Sequence, residues 1–339
     1  MPRELYIINA KTGAVDQNFP DLEVSTVVSD GSGGWYIGGC LSCVSGVNRD
    51  GLARLRNDGS LDPEFAYRLP KGTVVMSIVH HENVVYAGEG KANSSIKIVA
   101  AFDATSGRKL WQVRANAPDY VFSGGGLAFA DGKLFVGGNF SRVAGVPRSG
   151  LAALDPGTGK PTSWHVHLAS ERETKGQVNA MSVENGAIYY SGFFKGTETY
   201  RENKGLGAIS IRTGRPTSWN PEPTNDLDEA TAILATHGQV LAGGNGFAVF
   251  DARSGRVVPW YKHLTRNANA FAASGNTVYL GASPNDGSGI LTRAGGKRVH
   301  NLAAVVLPSG RVTNWRPMPS PIPYVRALAV SGQNVLVAG

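Results

Sequence analysis

One phrase, written over and over, limits what this chain can fold into. It reads LAALDPGTGKPTSW at Leu151–Trp164. It returns as VAAFDATSGRKLW (Val99–Trp111), LGAISIRTGRPTSW (Leu206–Trp219), FAVFDARSGRVVPW (Phe247–Trp260) and LAAVVLPSGRVTNW (Leu302–Trp315). Aligned on the turn glycine, seven copies emerge, at Gly13, Gly59, Gly107, Gly159, Gly214, Gly255 and Gly310. An aromatic follows each: Phe19, Phe65, Trp111, Trp164, Trp219, Trp260 and Trp315. A second phrase alternates with the first, as in LAFADGKLFVGG and LAVSGQNVLVAG, and it too occurs seven times. Self-similarity at a period of forty to fifty-odd residues signals a repeat architecture, not an ordinary single core.

The second phrase is two short apolar runs joined by a Gly, Asn or Asp turn, the pattern of a hairpin. Call its strands a and b. The first phrase then supplies strand c, a Thr/Ser-Gly turn, and strand d ending at the aromatic. Four antiparallel strands recurring in this way predict a β-propeller blade. The ends predict closure. The chain starts with a c–d pair, LYIINAKTGAVDQNF, and stops with an a–b pair, ALAVSGQNVLVAG. The expectation is an all-β, seven-bladed β-propeller with four antiparallel strands per blade, one domain over residues 1–339. Its closing blade would combine residues 325–339 with 1–19, leaving no free sheet edge. The repeated Trp residues are read as blade-to-blade packing, not as a binding platform.

The run LFVGGNFSRVAGVPRSGLAALDPGTGKPTSWHVH resembles the delta-60-type propeller repeat of secreted bacterial proteins, a relative of the quinoprotein-like repeat. The resemblance extends over essentially the whole chain and implies fold more than activity. The AxDxxTGxxxW turn is similar to that of quinoprotein dehydrogenases. Those imply eight blades, a vicinal disulfide and a metal-and-quinone pocket. Seven expected units and cysteines separated by two residues point away from a quinone enzyme, and no cofactor is predicted.

Composition narrows the partners. Of the residues, 42% are hydrophobic and 44 are glycine, as suits a strand- and turn-rich globular protein. No apolar run could span a bilayer, and no signal-peptide pattern follows Met1, so an exported form would already have shed its leader. The formal charge is +7, but Lys and Arg are scattered, and no nucleic-acid-binding signature accompanies them. The two cysteines, Cys40 and Cys43, lack the following helix that a redox C-x-x-C uses and the four ligands that structural zinc needs. They are a disulfide candidate, with two free thiols as the alternative. A disulfide points to an oxidising compartment, extracellular or periplasmic.

Function is sought where units depart from the pattern. Strand order puts the d–a and b–c connections on one face, and the irregular segments gather there. His165 and His167 share one side of an extended segment. With Tyr120, Arg201, His263 and His300 they are the candidate catalytic groups, with exposed loop residues as the competing reading. Asp226, Asp228 and Glu229, just before an innermost strand, are the candidate ligands for Ca²⁺, against a solvated acidic loop. No nucleophile elbow, phosphate-binding loop or metalloprotease motif occurs. The expected function is a non-catalytic binding or scaffold propeller, presenting one loop face to a glycan, protein or cell-envelope ligand. The alternative is a polysaccharide lyase acting on acidic glycans at the channel mouth, where Tyr or His would move a proton and Arg or metal would neutralise the carboxylate. A structural part of a larger multidomain protein is a third expectation.

Overall fold

The computed structural model describes residues 4–20, 23–39, 51–65, 67, 69–70, 72–91, 96–116, 126–166, 176–194, 205–222, 224–264, 267–282, 293–294, 297–298, 301–317 and 324–339. Nearly all of its regular structure is β, in antiparallel sheets made from consecutive hairpins. Blade I contains Val24–Ser29, Trp35–Gly39 and Leu52–Leu55. Blade II contains Val74–His81, Val84–Gly90, Ile98–Asp103 and Lys109–Arg114. Blade III is Gly126–Ala130, Lys133–Gly137, Leu151–Leu154 and Pro161–His165. Blade IV is Gly176–Glu184, Ala187–Phe194 and Leu206–Ser210. Blade V is Ala270–Ser274, Thr277–Gly281, Leu302–Val306 and Arg311–Val312. In blade VI the two chain ends meet, Val15–Pro20 pairing with Glu4–Asn9, which pairs with Asn334–Ala338 and so with Ala327–Ser331.

The expected seven blades of four strands are corrected to six blades among the described residues, two of them three-stranded. The remaining repeat unit forms a two-stranded ribbon, Leu227–Thr236 with Gln239–Asp251. The physical reason is local. Only Gly-Asn-Gly links b to c here, so the two run together as one 13-residue strand. Strand d is replaced by a 3-10 turn, Pro259–His263, whose opening proline has no N–H to give a ladder. The ribbon still holds a place in the ring. Around the axis the inner strands pack in succession from blade I through IV, then the ribbon, blade V, blade VI and back to I.

Because each blade has two faces to cover, the apolar core is divided into clusters that bridge neighbours. Tyr36, Leu52 and Phe65 of blade I meet Val75, Val85 and Phe102 of blade II. Tyr86 and Val99 of blade II meet Leu134 and Ala152 of blade III. Strand b is buried almost throughout, completely so in Trp35–Gly39, whereas strand d of blade II is mostly exposed.

The turn glycines explain why the phrase is so well kept. All seven have positive φ, between 69° and 77°, a region that favours glycine. At Gly159 (φ +70°) a Cβ would also stand about 2.5 Å from the Trp111 ring of the preceding blade. Trp111 in turn donates its indole N–H to Pro156 O (2.8 Å), Trp219 to Asp251 O (3.0 Å) and Trp315 to Asn9 O (2.8 Å). A tyrosine on strand b repeats the device. Tyr36, Tyr189 and Tyr279 donate to Ala104 O, Ala252 O and Ala10 O at 2.7, 2.7 and 2.9 Å. Each acceptor sits in the c–d turn of the next unit, so the phrase encodes a seam. Among the described residues no helix is long and apolar enough to cross a membrane.

Candidate functional site at the axial mouth

Strand a does not enter its sheet smoothly. Its register breaks between Val24 and Thr26, Val75 and Ser77, Val178 and Ala180, and Ala230 and Ala232. Bulges of this kind leave one residue out of the ladder and re-aim it. The residues concerned are Ser25, Met76, Asn179 and Thr231. In blades V and VI the matching residues are Asn269 and Arg326. Their backbone N–H groups bond to the last residues of strand b, Gly281 O and Ala338 O, at 2.8 Å. All lie where strand a begins, on the face of the d–a and b–c connections.

Five of these positions, all but Met76, line a cavity of about 250 Å³ on the axis. Its lining changes level by level along the inner strands. The rim is polar: Ser25, Asn179, Thr231, Asn269 and Arg326. Next comes a level of small residues, with the hydroxyls of Thr26 and Ser77 among glycine and alanines. Ser77 Oγ accepts the Leu127 N–H at 3.0 Å, stitching blade II to blade III beside the axis. The third level is apolar: Val27, Leu127, Met181, Ile233, Phe271 and Leu328.

Arg326 is the lining's single cation among the described residues. Its guanidinium stands 3.6 Å from Glu23, an ion pair longer than a hydrogen bond, and 5.1 Å from the centre of the Tyr324 ring. Asn179 Oδ1 accepts from Gln177 at 2.8 Å. Asn269 Oδ1, by contrast, is buried with no hydrogen-bond partner. A buried acceptor without a donor is a costly group to leave unmatched.

The groups expected at this mouth are placed elsewhere or lie outside the described residues. His165 is exposed at the end of outer strand Pro161–His165, its Nδ1 3.0 Å from Ser163 O, and does not line the cavity. His263 ends the 3-10 turn of the ribbon unit. Tyr120, His167, Arg201 and His300, and both Cys40 and Cys43, lie outside the described residues. Asp226 is exposed and accepts from the buried Tyr261 hydroxyl (2.7 Å) and from Thr224 (3.2 Å). Burial, aided by that carboxylate, pushes Tyr261 up to about 12. Glu229 is exposed beside Asn245, and Asp228 is in the strand Leu227–Thr236. Among the described residues no three His, Cys, Asp or Glu come together as a metal site.

Sequence reasoning missed the rim. A signal for it exists. In VSTVV, VNAMSV, ATAIL, ANAFA and VRALAV the second residue varies freely while its neighbours stay small or apolar. It also missed Glu89, which is 3% exposed and stands where other units carry glycine or alanine at the end of strand b. Its Oε1 has no hydrogen-bond partner, and burial raises its carboxyl to about 7 despite the opposing field of Lys109.

The fold is a β-propeller, and the sequence comparisons support a quinoprotein-like one. A family model described as outer membrane protein assembly factor BamB matches residues 64–230. A model described as a β-propeller domain of unknown function matches residues 31–65. Among solved structures, a chain of the mitotic checkpoint complex aligns with TM-score 0.59 at 14% identity, covering 98% of this chain and 92% of that one. BamB from Moraxella catarrhalis aligns with TM-score 0.52 at 16% identity, covering 100% and 99%. The computationally designed Ika8 protein aligns with TM-score 0.55 at 14% identity, covering 96% and 84%. At such identities the likeness is one of fold. No curated protein matches the sequence.

Proposed function

We propose that this propeller is a binding or scaffold module of the bacterial cell envelope whose d–a/b–c face engages a protein partner. The observation that carries the reading is a division of labour within the repeat. The aromatic, the turn glycine and the strand-b tyrosine serve the seams, while the rim residues differ from unit to unit. Variation on a rigid frame is where binding specificity is built. The same face carries an added hairpin, Arg142–Val143 with Val146–Pro147, which Ala115 of blade II bridges through Val143. Its tip exposes Val146. The BamB-like match supports an envelope, periplasmic setting, and a delta-60-type repeat is the finer assignment we favour.

The test uses two exposed apolar side chains at opposite ends of the ring. Val146 is 36% exposed on the d–a/b–c face, and Leu110 is 41% exposed near a c–d turn. A photo-crosslinking amino acid is placed at each in turn in living cells. A discrete protein adduct from position 146, absent from position 110 and competed by unmodified protein, is the expected result. Adducts from position 110 alone, or from neither, overturn the reading.

A further inference from the structure

Positive charge gathers on the rim opposite the axial mouth. Five consecutive units carry a cation directly after the turn glycine: Arg108, Lys160, Arg215, Arg256 and Arg311. Lys109, Arg212 and Arg253 add to it in the same turns, and all eight side chains are exposed. Scattered along the sequence, they meet on one arc of the ring, because every c–d turn lies at the outside of its unit on the face away from the cavity. Among the described residues none of the eight forms an ion pair, and only Lys109 makes a side-chain hydrogen bond, to Gln112 at 2.6 Å. The carboxylates of these turns, Asp103, Asp155 and Asp251, fold back to accept from Ser106, Thr158 and Ser254 at 2.8, 2.7 and 2.6 Å. Close by, Glu222 accepts the Val257 N–H at 2.8 Å. Nearer the axis on this face, Asp131 pairs with Lys133 at 2.7 Å, Glu184 accepts the Gly238 N–H at 3.1 Å, and Glu82 stands 3.7 Å from His81. Cations therefore remain in excess from blade II through the ribbon to blade V. The seams hold their turns in place, since Trp111 donates to Pro156 O, Trp219 to Asp251 O and Gln239 to Pro308 O.

A second observation lies on the same arc. The pairing of strands c and d in blade II breaks between Ala101 and Phe102, whose partners are Trp111 and Lys109. The residue left out is Leu110, which this bulge turns outward beside Arg108 and Lys109. At 41% exposure it is one of two exposed large hydrophobic residues among those described.

Both observations bear on the partner. A peptide or a duplex is held by cations lined up in one cleft, whereas these are dealt one or two to each successive unit along an outer edge. That arrangement matches an acidic surface extended in two dimensions. An apolar side chain set among the cations gains nothing from a soluble polyanion, but it is stabilised at the boundary between lipid headgroups and acyl chains. We infer that the c–d rim from blade II to blade V docks on an anionic phospholipid surface. The guanidinium and ammonium groups lie against headgroup phosphates, and Leu110 enters beside Arg108 and Lys109. Docked in this way, the propeller directs its d–a/b–c face away from the bilayer, where that face is free for a partner.

Co-sedimentation of the full chain with two kinds of vesicle tests this: phosphatidylcholine alone, and phosphatidylcholine with roughly one-third phosphatidylglycerol. Binding to the anionic vesicles, none to the neutral ones, and a steep fall as salt is added are expected. Each cation that reaches the surface is worth roughly fivefold in partition, so Arg215→Gln combined with Arg256→Gln should lower it by roughly 25-fold. Leu110→Ser should lower it severalfold. Lys262→Gln combined with Arg316→Gln removes the same charge from exposed positions beyond the far ends of two outer strands, and should leave it nearly unchanged. Equal losses from the two double variants would mean that net charge acts and the rim does not, which overturns the inference. Equal binding to both vesicles, or binding to neither, overturns it as well. Retention on polyphosphate without vesicle binding does the same and assigns the rim to a soluble acidic partner. The vesicle comparison uses the unaltered protein, so no variant has to fold for it. Crosslinking from position 146 reads the opposite face, so each of the two readings can fail while the other stands.

Discussion

The seams between blades and the mouth of the axis are made by the same repeat, yet they obey opposite rules. At a seam, most units offer the next the same indole, glycine and tyrosine, and deviation is penalised by packing. At the mouth, serine, asparagine, threonine and arginine stand in one structural position. The difference teaches that repetition marks stability here, and that departure from repetition marks the face where we propose recognition is built. Even the seams are unequal. Trp219, between blade IV and the ribbon, donates to Asp251 O and packs edge-on against Tyr189 and Phe250. Trp164, between blades III and IV, packs edge-on against Phe135, but its indole N–H is buried without a partner. Phe135 stands where other blades have the hydrogen-bonding tyrosine.

The largest expected effect comes from breaking the better seam. Trp219→Ala removes a 5%-exposed side chain and should destabilise by about 3–5 kcal/mol in chemical denaturation. A smaller loss, about the same as in Trp164→Ala despite that residue's missing bond, would deny the indole–carbonyl contact any weight. Next is Gly159→Ala, which puts a Cβ at φ +70° against the Trp111 ring. It should cost about 2 kcal/mol or more, with Trp111 fluorescence shifting as the ring is displaced. Stability unchanged within about 0.5 kcal/mol would show that the seam yields without strain.

Glu89 gives a pH test. Its carboxyl is raised in the fold from 4.5 to about 7, so the folded state binds the extra proton. Its contribution is therefore complete below pH 4.5 and is lost as pH rises to about 7. Glu89→Gln should flatten that slope in thermal melts taken between about pH 5 and 8, and raise the melting temperature at the upper end by a few degrees. A parallel slope in parent and variant would remove Glu89 as its source. Tyr279→Phe, which deletes only the donor to Ala10 O, should cost about 1 kcal/mol. The smallest effect belongs to the mouth. Arg326→Gln should alter stability by less than about 0.5 kcal/mol, because its side chain is half-exposed and its ion pair is long. A cost like that of a seam residue would make Arg326 structural and blur the contrast.

Much of the architecture could be read in the order of residues. Each a–b hairpin is announced by alternating apolar residues around a turn, each c–d turn by its glycine, and blade VI by the half-units at the two ends. Trp as seam material was also readable, because its spacing from the turn glycine is nearly constant. The blade count was not. It depended on whether Gly-Asn-Gly at 244–246 would open a loop between strands, and on Pro259 withholding an N–H. The rim was not readable in practice either, since a variable residue inside an otherwise regular strand resembles drift. The long loops and their histidines drew attention because they are irregular, but His165 stands on an outer strand, away from the axis.

Residue order alone determines whatever short-range physics repeats: period-two burial, positive-φ turns, an aromatic at a set distance, and a ring that must join its ends. Convergence required the folded ring. Ser25 and Arg326 are separated by almost the whole chain and become neighbours only when blade VI closes against blade I. No local pattern encodes such a meeting, because which rim residues come together is set by closure of the ring and not by their neighbours in sequence.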